Sequence, residues 1–130
     1  MTQSRRKGKA GELEFAALAR ECGWPDAARG QQHKGGHGAP DVTGLPPWLH
    51  PEVKCLGSGL PVYTALAQAQ GDAGHSQTPV VFYRRVKRGM RRHPWVAVLL
   101  ARDLLLMARK LEDLEEERSR LARIVEARRG

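Results

Sequence analysis

Two short stretches decide how this chain is read: Pro40-Asp41-Val42-Thr43 and Glu52-Val53-Lys54-Cys55-Leu56. Gly44-Leu45-Pro46-Pro47-Trp48 lies between them, a pattern that predicts two strands joined by a Gly/Pro turn. If the strands pair antiparallel about Pro46-Pro47, Asp41 falls opposite Glu52, and two carboxylates come within reach of one cation. Lys54 follows Glu52 by two residues and shares its face, while Val53 points the other way into the core. Pro51 suits a strand entry because it offers no ladder donor.

Phosphodiester hydrolysis wants such a set. Hard carboxylate oxygens hold Mg²⁺, with Mn²⁺ a possible substitute, and a lysine beside them orients a water and offsets negative charge in the transition state. An ordinary cross-strand salt-bridge cluster would have the same composition, so these residues alone leave both readings open.

Working outward, residues 9–22 show helical periodicity, with Leu13, Ala17 and Leu18 on one ridge and Phe15, Ala19 and Cys22 on another. Gly23-Trp24-Pro25 stops the helix, and Ala27 to Gln32 reads as a short strand. His33-Lys34-Gly35-Gly36-His37-Gly38 is a Gly-rich loop whose Lys34 could meet phosphate; zinc held by His33 and His37 lacks a cysteine pair to complete it. Beyond Leu56, Val62 to Ala73 reads as a helix carrying Gln68 and Gln70. Strands are expected at Val80 to Tyr83 and Trp95 to Leu100, joined by a basic hairpin or loop, and helix from about Asp103 onward.

The chain has 130 residues and a formal charge of +8. That length suits one domain, here residues 1–102, with a helical extension at 103–130. No apolar run is long enough to cross a bilayer, and the basic N-terminus leads into no apolar stretch, so neither an anchor nor a secretory signal is expected. The cytoplasm is the expected location. Cys22 and Cys55 form no Cys-x-x-Cys pair and are expected to be small, buried or half-buried residues. Residues 1–110 hold 17 Lys/Arg against 8 Asp/Glu, a surplus of +9, and residues 111–130 hold 5 against 6, or −1. Such a field attracts a polyanion, most simply nucleic acid. Arg5, Arg6, Lys7 and Lys9 form one cationic arm, and Arg84, Arg85, Lys87, Arg88, Arg91 and Arg92 a second cluster. Few aromatics are present, which favours contact with the DNA backbone over base stacking.

Pro40-Asp41 followed by Glu52-Val53-Lys54 resembles the PD-(D/E)xK nuclease superfamily. With Lys7-Gly8-Lys9-Ala10-Gly11-Glu12 ahead, then Arg29 and the Gly-rich loop, the order resembles the archaeal-type Holliday junction resolvases, which also occur in phages. The resemblance covers residues 5 to about 100. It implies an α/β fold of restriction-endonuclease type, with a central mixed sheet flanked by helices. It also implies a homodimer, Mg²⁺ dependence and paired nicks in four-way DNA junctions. Asp41 and Glu52 match the family's metal ligands, the carbonyl of Val53 a further one, and Lys54 its catalytic lysine. Glu12 matches the family's helical carboxylate, a catalytic residue and further metal ligand, with Glu14 the alternative, and Arg29 a basic residue near the phosphate. A flap, nicking or branched-DNA endonuclease of the same superfamily, or a non-catalytic basic DNA-binding module, would share much of this pattern.

The long C-terminal helix departs from the family. Leu104, Met107, Leu111, Leu114, Leu121 and Val125 follow a heptad, broken by Arg118, with acids first and bases after. The order favours an antiparallel contact between two copies; a helix folded back on its own sheet is the alternative.

Overall fold

The computed structural model describes residues 3–30, 40–87, 89 and 92–130, and the side chains among them except those of 3–7. The first helix, α1, runs Gln3–Glu21. It begins well before residue 9: Gln, Arg and Lys are good helix formers and no proline intervenes, so the basic stretch expected as a flexible arm is helical backbone. The side chains of Arg5, Arg6 and Lys7 lie outside the described residues. Its buried face carries Glu12, Phe15, Ala16 and Ala19, while Leu13 is exposed. Gly23, at φ 103°, ends it: Trp24 N–H reaches Ala19 O and Gly23 N–H reaches Arg20 O, the double bond of a Schellman motif. Cys22 is thereby exposed, not buried as expected, and Cys55 is half-buried.

Two strands follow, β1 (Ala28–Arg29) and β2 (Val42–Thr43), paired antiparallel with Arg29 opposite Val42. The expected continuation of β1 to Gln32 and the Gly-rich loop with Lys34, His33 and His37 lie outside the described residues. Next come β3 (Leu49–Leu56), α2 (Val62–Asp72), β4 (Thr78–Arg85) and β5 (Val96–Val98). β3 runs parallel to β4, with Glu52 beside Val81, and β4 antiparallel to β5, giving a mixed three-stranded sheet in the order β3-β4-β5. A parallel pair needs a crossover, and α2 supplies it.

The expected hairpin between the Asp41 and Glu52 strands does not form. β2 pairs with β1, and β3 spends its ladder on β4. The reason is packing: strand alternation sends Val53 and Phe82 to one face and Val81 to the other, and both faces are covered. On one face Phe15, Ala16 and Ala19 of α1 pack near Val53, Phe82 and Trp95, the Phe15 and Phe82 rings stacked at 4.3 Å. On the other, Ala65, Leu66 and Ala69 of α2 pack with Val81 and Val98. Arg84 and Arg85, expected in a basic loop, belong to β4; Arg88 and Arg91 lie outside the described residues. The chain thus has a mixed α/β unit ending at Leu99. A second unit, Leu100–Gly130, consists mainly of the helix α3 (Ala101–Arg129). Among the described residues no helix is long and apolar enough to cross a membrane.

Gly44 closes the turn after β2 with φ 84°, and a Cβ there would lie 2.2 Å from the carbonyl oxygen of Asp26. Gly8, inside α1, has nothing within 4 Å of such an atom. Gly44→Ala should therefore destabilise the chain by about 2 kcal/mol or more, whereas Gly8→Ala should stabilise it by roughly 0.5–1 kcal/mol. Urea unfolding of both variants checks this, and effects of the same sign would contradict the turn geometry.

Candidate active site

Among the described residues β3 has β4 as its one neighbouring strand, so its other edge is satisfied by something else. Pro51 and Val53 address that edge. Proline has no N–H to orphan, and the Val53 N–H donates to Asp41 Oδ2 at 2.8 Å. In an extended strand the carbonyl of Val53 leaves on the same side as its N–H, beside the Asp41 carboxylate. Asp41, just ahead of β2, thus reaches the middle of β3 by a side chain-to-backbone bond and not by cross-strand pairing.

Glu52 and Lys54 share the α2 face of β3, as the period of the strand requires. Lys54 Nζ lies 3.5 Å from Glu52 Oε1 and donates to Gln68 Oε1 of α2 at 3.0 Å. Glu12, Asp41 and Glu52 are each buried, at 8%, 8% and 6% exposure. Burial and then the negative charge of Asp41 push the Glu52 carboxyl up to about 7; Lys54 opposes this, and Asp72 at the end of α2 adds to it. Burial also raises Glu12, offset by its hydrogen bond from Arg29, while Asp41 pushes it further up. Asp41 therefore acts on both neighbours, and three carboxylates from α1, the turn before β2 and β3 share one electrostatic neighbourhood.

The expected roles of the cations are redistributed. Arg29 Nε donates to Glu12 Oε2 at 2.6 Å, so Glu12 is held from β1 by a charge-assisted bond. Arg84 is largely buried, bonded to Glu14 Oε2 at 3.0 Å and to the His93 carbonyl, with its guanidinium over the Trp95 ring. Arg92 lies 3.7 Å from Glu14 Oε1. Glu14, the alternative helical carboxylate, thus turns to these arginines. Lys9, Arg85, Lys87 and Arg92 are the exposed members of the predicted DNA-contacting set whose side chains are described.

Sequence reasoning passed over His50 and Asp72. His50 sits two residues before Glu52, is 1% exposed, and its Nε2 has no hydrogen-bond partner among the described residues. Gln68 and Gln70 stand where related nuclease branches use a glutamine to touch DNA or the site; here the βαβ crossover brings Gln68 to Lys54. No local signal marks either.

Among the described residues no three His, Cys, Asp or Glu side chains gather closely enough to hold a metal ion by themselves. The donors that do fit one are fewer: the Asp41 and Glu52 carboxylates and the Val53 carbonyl, hard oxygens at a place where negative charge is penalised. Mg²⁺ keeps several waters and commonly takes only one or two carboxylates, so this set suits it.

A carboxyl raised on folding binds its proton more tightly in the native state. In metal-free solution Glu52 should therefore erode stability as pH rises from about 4.5 to about 7, with no further loss above. Glu52→Gln should flatten that decline and be the more stable protein above pH 7. Urea midpoints across this range in the presence of chelator test it, and parallel curves for the two proteins would remove Glu52 as the titrating group.

Comparison of the chain with known protein families, curated proteins and solved structures finds no match.

Proposed function

We propose that this protein is a Mg²⁺-dependent DNA endonuclease of the PD-(D/E)xK kind, with a restriction-endonuclease-like nuclease unit. It would resolve four-way junctions by paired nicks, as a homodimer acting in the cytoplasm. The observation that carries the reading is the buried Asp41–Glu52 pair at the open edge of β3, with the Lys54 ammonium 3.5 Å from Glu52. A protein that only gripped phosphates would gain nothing from burying carboxylates where they repel its ligand.

Asp41, Glu52 and the Val53 carbonyl would hold the ion. Bound there, Mg²⁺ would polarise the phosphodiester and make a water more acidic. Lys54 is steadied by Gln68 and Glu52, so its ammonium can donate to the attacking water or to a non-bridging phosphate oxygen with little reorganisation. Arg29, fixed on Glu12, holds positive charge beside the same neighbourhood, where it can offset a phosphate. Lys9, Arg85, Lys87 and Arg92 supply backbone attraction with no sequence code.

Asp41→Asn or Lys54→Ala should lower cleavage of a four-way junction by about 10²-fold or more, while junction binding is retained. Wild-type rates in Asp41→Asn would sink the assignment. Neutralising Arg85, Lys87 and Arg92 together should flatten the log–log salt dependence of binding. Four-way, flap and linear duplex substrates compared with Mg²⁺ distinguish resolvase from flap or nicking enzyme; no cleavage of any would leave a non-catalytic binder.

A further inference from the structure

The C-terminal unit presents an apolar stripe. α3 buries none of its residues, and Leu104, Leu111, Leu114, Leu121 and Val125 are 49% to 59% exposed. Together with Met107 and Arg118 they occupy the a and d positions of one heptad repeat, a seam about 32 Å long at 1.5 Å per residue. The flanks are laced by ion pairs within the helix: Arg109 with Asp113 and Glu116, Arg118 with Glu115, and Arg120 with Glu117. Such solvent-exposed pairs contribute little, and a helix in a protein takes most of its stability from packing its apolar face.

We propose that α3 is a self-association helix that pairs antiparallel with α3 of a second copy, with Leu111 of each against Leu114 of the other. This register also sets Leu104 against Leu121 and brings Val125 to Leu100 at the other helix's cap. It leaves Arg118 opposite Met107, so that its aliphatic stem covers the thioether while the guanidinium reaches water. On the flank, Lys110 of each copy meets Glu117 of the other, two favourable pairs related by the two-fold axis.

The competing arrangements are worse in specific ways. A parallel pair stacks Arg118 on Arg118 inside the seam. Sliding the antiparallel pair by one heptad brings Glu117 against Glu117 in one direction and Lys110 against Lys110 in the other. Charge therefore selects both the orientation and the register. The pairing does not depend on the nuclease reading, and its test reads mass and not cleavage.

Full-length protein should sediment as a dimer at micromolar concentration, and Leu111→Asp should make it monomeric. Lys110→Glu or Glu117→Lys alone, both on the exposed flank where folding is not at risk, should weaken dimerisation roughly tenfold. The double variant Lys110→Glu/Glu117→Lys should restore it. A monomeric wild type, or a dimer indifferent to Leu111→Asp and to the single charge reversals, would overturn the proposal. Rescue by Lys110→Glu/Glu115→Lys in place of the 110/117 double would overturn the antiparallel register, because Lys110 faces Glu115 only in a parallel pair.

Discussion

The hydrogen bond from the Val53 N–H to Asp41 Oδ2 does two jobs that otherwise conflict. It satisfies a backbone donor on the open edge of β3, and it places a carboxylate against a strand that already carries Glu52. An unmade bond at a buried N–H costs about 1–3 kcal/mol, and the small β1–β2 layer is far too short to pair with the whole of β3. The Asp41 side chain satisfies that edge at Val53, and Gly44 permits the tight turn after β2. The local negative charge follows directly from that solution.

That charge explains how the arginines are used. Charge solvation alone would turn every cation of a basic protein outward. Here Arg29 is spent on Glu12 and Arg84 on Glu14, the His93 carbonyl and Trp95. Each lies where α1 approaches the sheet or its neighbouring strands, and Arg29 compensates a carboxylate, Glu12, that burial would otherwise destabilise. Among the described residues Glu52 has Lys54 in this role, and Lys54 is shared with Gln68, so the Glu52 carboxyl stays raised to about 7. The compensation is uneven: Arg29 hydrogen-bonds Glu12 directly, whereas Lys54 divides itself between Glu52 and Gln68.

The two units obey different rules. In the first, helices cover both faces of a small sheet, and the core is dominated by small residues: Ala16, Ala19, Ala65 and Ala69 let the helices approach closely, with Phe15 and Phe82 filling the remaining space. In the second, α3 has periodicity, charge pairs and length, but none of its side chains is buried.

The sequence by itself determined most of the elements, though not their ends, and the faces of those it placed. Strand alternation placed Lys54 beside Glu52 and Val53 in the core, and heptad spacing marked the stripe on α3, because both follow from backbone periods that no tertiary contact alters. It also identified Asp41 and Glu52 as the pair of interest. Their assembly was not legible: proximity in sequence across a Gly/Pro turn suggested a hairpin, whereas β3 gains more by lying parallel to β4 under two helices. The partners of Arg29, Arg84 and Gln68 were equally hidden, since a charge or an amide carries no local sign of whether it faces water or a neighbour. Those assignments depend on which long-range faces meet, and only the tertiary structure, by choosing the sheet order, decided them.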